Sequence, residues 1–216
     1  MQVTTLERFR ARQRVRGAVV PLRCWLAPKI MYAALPPAAP APQPLHSERL
    51  TLRPYLPADQ AAFFALLDAN RSRLRPSFPA REAAVQTPLD AARVLAGFQQ
   101  DWQSGHLYVL GIWLRATGQY LGDISLKPNW SAPVNAEIGY YLAREAEGHG
   151  YAREALRTAA AFGFDGLGAE RLLVRCRATN PRSCAVAEAV GFTRLEPRPR
   201  PWPLRKLSLG ESDILY

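Results

Sequence analysis

The sequence predicts a mixed α/β (α+β) domain in which one sheet lies between two layers of helices. Three observations lead there. The 216 residues are 48% apolar and 21% charged, enough for one sizeable core and typical of a globular domain. Short alternating or β-branched runs interleave with longer segments of helical spacing, in the order β α α β β β α β α β β. In the middle of the chain, three strand-like runs follow one another with only turn residues between them, the mark of an antiparallel meander.

Each element has a local cause. Residues 49–54 alternate polar and apolar and end at Pro54, a strand closed by a residue that cannot donate to a ladder. Pro57-Ala58-Asp59 opens a helix that runs to Leu67. Residues 70–86 are rich in arginine, carry no period and are expected to be irregular. Thr87-Pro88 reads as an N-cap followed by proline at the first helical position, and that helix stops at Ser104-Gly105. Strands are expected over 107–114, 119–126 and 134–142, the first two joined at Thr117-Gly118. Residues 148–165 form the longest helix, with Ala155, Leu156, Ala159 and Phe162 on one face. A strand over 171–177, a helix over 181–190 stopped by Gly191, and strands over 192–195 and 206–216 complete the string. Pro197, Pro199, Pro201 and Pro203 stiffen the loop between the last two.

The formal charge of +10 is unevenly placed. Residues 1–44 hold six arginines and Lys29 against Glu7 alone, a net +6. Residues 1–45 therefore read as a leader, basic and then Pro/Ala-rich, extended or disordered, or lying upstream of the true start at a site such as Met31. Residues 46–216 read as the folded domain. A basic leader can meet nucleic-acid phosphates or an anionic membrane, or act as a targeting peptide; the plainest reading is a solvated tail. Nucleic acid is expected nowhere else, and no uncharged apolar run is long enough to span a bilayer. Three cysteines without CxxC or Cys/His pairing exclude a disulfide framework and argue against a metal site, so a reducing compartment, the cytoplasm, is expected.

The most informative segment lies between strand and helix at residues 137–155. Gly148-His149-Gly150 opens the long helix, and two glycines let the backbone turn and a ligand approach. The first helical N–H groups have no internal partner and, with the helix dipole, suit phosphate oxygens. A pyrophosphate cradle and an ordinary glycine-rich helix start both fit. The dinucleotide fingerprint GxGxxG is absent, and no GK[ST] of a Walker loop follows.

Over residues 47–216 the sequence resembles the GNAT acyltransferase superfamily, in the branch that includes ribosomal-protein N-terminal acetyltransferases. The resemblance rests on SERLTLRP at the first strand, GDISL and EIGYYL in the meander, the run from Glu147 to Ala155 on the acetyl-CoA signature, and NPRS followed by VGF. It implies a three-layer fold around a mixed, mostly antiparallel sheet of about seven strands. It implies acetyl transfer from acetyl-CoA, without a metal, to a primary amine: a protein or peptide N-terminus, or a small amine. Around Gly148, His149, Gly150, Tyr151, Ala152 and Arg153 the amides would hold the CoA pyrophosphate. Tyr140 and Leu142 would pair with the pantetheine arm, the Leu142 N–H polarising the thioester carbonyl, and Asn180 would bind near the thiol. Glu137 is the candidate base, against a reading as a surface carboxylate. Ser183 is the candidate acid at the thiolate, against a reading as a capping serine. Glu147 departs from the Gln or Arg usual there and must point away from a diphosphate, with Arg144, His149 or Arg153 to compensate. A homodimer is compatible with the sequence. Two alternatives remain: an acyl-CoA-binding sensor without turnover, and a basic ribosome- or nucleic-acid-associated protein.

Overall fold

The computed structural model describes residues 2–7, 38–177 and 179–195. The strands in chain order are β1 Gln2–Glu7, β2 Leu45–His46, β3 Leu50–Arg53, β4 Tyr108–Leu114, β5 Tyr120–Asn129, β6 Asn135–Leu142, β7 Arg171–Cys176 and β8 Thr193–Arg194. The helices are α1 Gln60–Ala69, α2 Arg71–Leu74, α3 Pro79–Ala84, α4 Pro88–Ser104, α5 Tyr151–Ala161 and α6 Pro181–Val190. Among the described residues the strands form one sheet in the order β2-β3-β4-β5-β6-β7-β1-β8. All neighbours are antiparallel except β6 and β7. This is the expected mixed, mostly antiparallel sheet, with eight strands rather than about seven.

The sheet is buried on both faces, and β4 shows how. Tyr108, Leu110 and Ile112 join one core with Ala155, Leu156 and Ala159 of α5 and with Ala187 of α6. Val109 and Trp113 join a second core with Phe63 and Leu67 of α1 and with Leu95 and Phe98 of α4. Alternate residues therefore enter different cores, which is why β4 reads as a continuous apolar run. The α4 start is as expected: Thr87 accepts from the Asp90 N–H at 3.2 Å, while the Asp90 carboxylate accepts from the Thr87 N–H at 2.9 Å.

Three parts differ from expectation. Residues 70–86 are two short helices, α2 and α3, each anchored by contacts remote in sequence rather than by a period of its own. Residues 2–7, set in a leader outside the domain, form a strand between β7 and β8. The β-branched Val3, Thr4 and Thr5 suit a strand, a local preference masked by the arginine-rich run that follows. The end of the proline-rich stretch also lies against the domain: the Trp102 indole N–H donates to the Pro40 carbonyl at 2.9 Å. The expected loop over 197–205 and strand over 206–216 lie outside the described residues.

Two polar clusters fix the helices to the sheet. On the α1–α4 side Asp123 is 2% exposed and accepts from Arg81 at 2.6 Å, from Tyr141 at 2.9 Å and from Tyr55 at 3.3 Å. The Arg81 guanidinium also lies over the Phe98 ring, 4.4 Å from its centre. On the other side Glu154 of α5 accepts from Ser47 Oγ at 2.7 Å, from the Arg49 N–H at 2.7 Å and from Arg49 Nε at 2.8 Å. Arg49 Nη1 donates to the His149 carbonyl at 3.0 Å, tying the start of α5 to the start of β3. Burial alone would push the Glu154 carboxyl up; the bonds from Arg49 and Ser47 outweigh it and hold the group below the ordinary glutamate range.

Two predictions follow from these clusters. Asp123→Ala strands the Arg81 charge in the core and lowers unfolding free energy by about 3–5 kcal/mol, measured by chemical denaturation; a loss under ~1 kcal/mol would contradict the buried-pair assignment. For Glu154 the folded-state carboxyl is depressed, so its contribution is present above the unfolded value of about 4.3 and disappears as pH falls through the folded value. Glu154→Gln therefore melts below the wild type at about pH 7, and the gap closes as thermal scans descend toward about pH 3. A gap of constant size would show that the carboxylate charge is not what holds α5.

Candidate active site

The site is set by where two strands part. β5 and β6 remain paired as far as Gly122 opposite Leu142. β6 and β7 pair in parallel only from Asn135 opposite Arg171 to Ile138 opposite Val174. Beyond that point, among the described residues, residues 139–142 of β6 have no strand on their β7 side, while β7 stays with β1 to Cys176. The Ala143 N–H donates to the Leu121 carbonyl at 2.7 Å, toward β5. Successive peptide groups of a strand point to opposite sides, so the N–H groups of Tyr140 and Leu142 face the gap. A Cβ on Gly122 would lie 2.1 Å from the Tyr141 carbonyl oxygen, so only glycine lets β5 hold the end of β6 this closely.

From the end of β6 the chain makes a short 3₁₀ turn, Arg144–Ala146, and reaches the glycines. Gly148 and Gly150 have φ of 82° and 80°, the left-handed region open to glycine. Gly150 is the N-cap of α5 and supplies no side-chain cap; the first N–H bonded back to it is that of Glu154, at 3.2 Å. The N–H groups of Tyr151, Ala152 and Arg153 thus leave the helix start without a helical partner. Gly148, His149 and Gly150 are exposed, and the His149 ring stacks on Tyr151 at 5.5 Å. Main-chain donors so arranged, at the start of an eleven-residue helix, are of the kind that suits an anion.

The far wall of the gap is α6. The Tyr140 hydroxyl crosses to Ser183, 3.1 Å from both its Oγ and its carbonyl. Ser183 Oγ is also 3.2 Å from Cys176 Sγ. Asn180, not Ser183, caps α6: its Oδ1 accepts from the Ser183 N–H at 3.2 Å. The serine hydroxyl is therefore turned to Tyr140 instead of being spent on the helix. Burial raises the Tyr140 hydroxyl well above its usual range, against the bond from Ser183, and pushes the Cys176 thiol up to about 11. Both stay protonated near neutral pH, so Tyr140 and Ser183 are proton-bearing groups at the gap and Cys176 is not a thiolate nucleophile.

The structure brings Tyr140, Leu142, Asn180 and Ser183 to one gap that opens beside Gly148, His149, Gly150, Tyr151, Ala152 and Arg153. It does not bring Glu137 to the same point. Glu137 lies five positions before Leu142 on one strand, about 16 Å along its length. Its carboxylate accepts from Arg175 at 2.6 Å on the edge of the paired region. Glu147 is held by Arg73 at 2.5 Å and Arg182 at 2.7 Å, not by the neighbours Arg144, His149 or Arg153. Sequence reasoning missed Arg73, Arg182 and Arg49, because each meets its partner across a large sequence separation, and although Arg49 and Arg182 fall within SERLTLRP and NPRS nothing in those runs marks the partner. Among the described residues no three His, Cys, Asp or Glu side chains gather to hold a metal ion, and no helix is long and apolar enough to cross a membrane.

Comparison with known proteins agrees with this geometry. The family profile described as an acetyltransferase (GNAT) domain matches residues 49–193. YdaF of Bacillus subtilis, a protein named only as a candidate ribosomal N-acetyltransferase, is 34% identical over 94 residues, 43% of this chain and 51% of that protein. The chain spans about half the length of the curated relatives it matches. Among solved structures, RimJ of Mycobacterium smegmatis in complex with CoA-disulfide superposes with a TM-score of 0.62 at 24% identity, covering 70% of this chain and 76% of that one. The ribosomal-protein-S5-alanine acetyltransferase of Vibrio fischeri gives 0.61 at 20% identity, covering 70% and 83%. At such identities the superpositions speak for the fold, and the profile, matching about two thirds of the chain, settles the kinship: this chain belongs to the GNAT acetyltransferase family.

Proposed function

We propose that the protein transfers an acetyl group from acetyl-CoA to a primary amine by direct attack, with both substrates bound at once. The observation that carries this reading is the contiguity of two main-chain features: unpaired N–H groups at the start of α5 and the opened strand end at 139–142. The first suits a diphosphate and the second an extended amide-bearing arm, in the order in which coenzyme A presents them. When bound, acetyl-CoA supplies the activated acyl group as a thioester.

The chain's own residues have distinct tasks. The N–H groups of Tyr151, Ala152 and Arg153 hold the diphosphate, with His149 and the glycines leaving room for it. The Leu142 N–H, at the end of β6 nearer the cradle, pairs with the arm, and the Tyr140 N–H, deeper in the gap and on the residue whose hydroxyl meets Ser183, donates to the thioester carbonyl oxygen, a fixed dipole that needs no reorganisation. Ser183, backed by the Tyr140 hydroxyl at 3.1 Å, gives a proton to the departing sulfur, and Asn180 holds the turn from which Ser183 projects. Glu137 is held by Arg175 in the paired part of β6, and the proton of the attacking amine leaves to water. No protein nucleophile is needed, because a bound neutral amine attacks the thioester itself. The family's neighbours include enzymes named for ribosomal-protein N-termini, and a protein α-amine is the acceptor class this reading favours.

Calorimetry with acetyl-CoA should give a dissociation constant in the range of about 1–100 μM. Gly150→Val, which places a branched side chain at φ of 80°, should weaken that by more than about tenfold. Thiol release with a panel of peptides and small amines tests turnover, and Ser183→Ala should lower kcat by about 10–100-fold with little change in the coenzyme affinity. Coenzyme binding without thiol release would favour a sensor, and absence of both would end the acetyltransferase reading.

A further inference from the structure

Glu147 stands at the start of the cradle, and the groups that tether it are themselves cations. Its Oε1 accepts from Arg73 Nη1 and its Oε2 from Arg182 Nη1, at 2.5 and 2.7 Å. Arg73 comes from α2, in the helical layer on one face of the sheet, and Arg182 from the first turn of α6 on the other. One carboxylate thus bridges both layers across the mouth of the parted strands, next in sequence to Gly148.

Arg73 is held by a buried scaffold. Asn70 is 5% exposed and its Oδ1 accepts from Arg73 Nη2 at 3.1 Å, from Arg73 Nε at 3.3 Å and from the Arg144 N–H at 3.1 Å. Arg73 Nη2 also donates to the Leu142 carbonyl, so the guanidinium sits at the end of β6 where the gap opens. Arg182 is different: its side chain is 84% exposed and the pair with Glu147 is its fixed point. Two guanidinium groups and one carboxylate leave a net positive charge beside the amide cradle. Guanidinium groups bind phosphate oxygens with the same forked geometry they use for carboxylates.

We propose that Arg73 and Arg182 form an anion subsite at the lip of the gap, that Glu147 is its resident counter-anion, and that the diphosphate of a nucleotide-bearing coenzyme displaces it. The inference rests on the coenzyme reading above for the source of the anion, not for the existence of the subsite. Arg73, fixed by Asn70, is the preformed half. Arg182, free to swing, closes onto the anion from α6. Glu147, released, turns to solvent, so the departure from Gln or Arg at this position trades affinity for a site that is already charged and shaped.

The test compares wild type, Glu147→Gln, Arg182→Ala and Arg73→Ala by calorimetry with coenzyme A and, separately, with inorganic pyrophosphate at several salt concentrations. Glu147→Gln removes the competitor and should tighten both ligands by about five- to tenfold, with a steeper salt dependence. Arg182→Ala should weaken both by about fivefold and flatten the salt dependence, which an exposed arginine of purely structural role would not do. Arg73→Ala should weaken both as well, with melting curves to report whether α2 stays docked. If wild type binds coenzyme A and neither Glu147→Gln nor Arg182→Ala moves either affinity, the subsite is wrong and the coenzyme reading stands. If Glu147→Gln binds pyrophosphate tightly and no variant binds coenzyme A, the subsite stands and the coenzyme reading falls. If Glu147→Gln loosens both ligands, the bridge is a structural strut and the proposal is overturned.

Discussion

The arrangement of this molecule depends on the early end of one strand pairing. Parallel pairing of β6 with β7 stops at Ile138 and Val174, while β6 itself runs on to Leu142. A strand interior that loses its neighbour exposes N–H and C=O groups that must find water, a ligand or a side chain. The protein tolerates this because the other edge of β6 stays bonded to β5 through Leu142, with Gly122 allowing the close approach. Parting is therefore confined to one side, and the unpaired groups stay in a fixed direction. A gap made by simple fraying would have no such directionality.

What crosses the gap is polar and drawn from both layers. Tyr140 reaches Ser183, Arg73 reaches the Leu142 carbonyl, and Glu147 joins Arg73 to Arg182. These contacts are few beside the apolar packing that holds each layer to the sheet. Stability and function are thus divided in space. The two cores and the buried Arg81–Asp123 pair hold the layers, and the lip is bridged by partly exposed ion pairs, each worth roughly 0–1 kcal/mol in such surroundings. Contacts that weak can be exchanged for a ligand without loosening the fold.

How much of this was legible in the sequence follows the range of each interaction. β4 and α4 were readable because their causes are local: alternation to two cores, and the Thr87–Asp90 capping pair. The glycine turn was readable because φ near 80° at Gly148 and Gly150 leaves a composition signal. Asn180 and Ser183 were readable as a pair but not in their division of labour, since either residue type caps a helix and only the fold shows that Asn180 does. Arg73, Arg49 and Arg182 left no signal, because a guanidinium finds its carboxylate by tertiary proximity. Residues 70–86 looked irregular for the same reason: α2 and α3 are held by Asn70, Arg73 and Arg81 to distant elements, not by a face of their own. The strand at Gln2–Glu7 was concealed by composition, its β-branched run too short to stand out from the basic stretch behind it.

The separation of Glu137 from Tyr140 bears on what kind of catalyst such a gap can be. On the reading proposed above the reacting atoms lie beside Tyr140, about 10 Å along the strand from Glu137, and the Glu137 carboxylate is held by Arg175. Two carboxylates of neighbouring elements are committed: Asp123 is buried under Arg81, Tyr141 and Tyr55, and Glu147 is shared by two arginines. On that reading the site gains its rate from position and from the fixed main-chain dipole, and it works on the fraction of acceptor that is already neutral. Protein α-amines, with ordinary values near 7.7–8.0, supply that fraction far more readily near neutral pH than lysine ε-amines near 10.4.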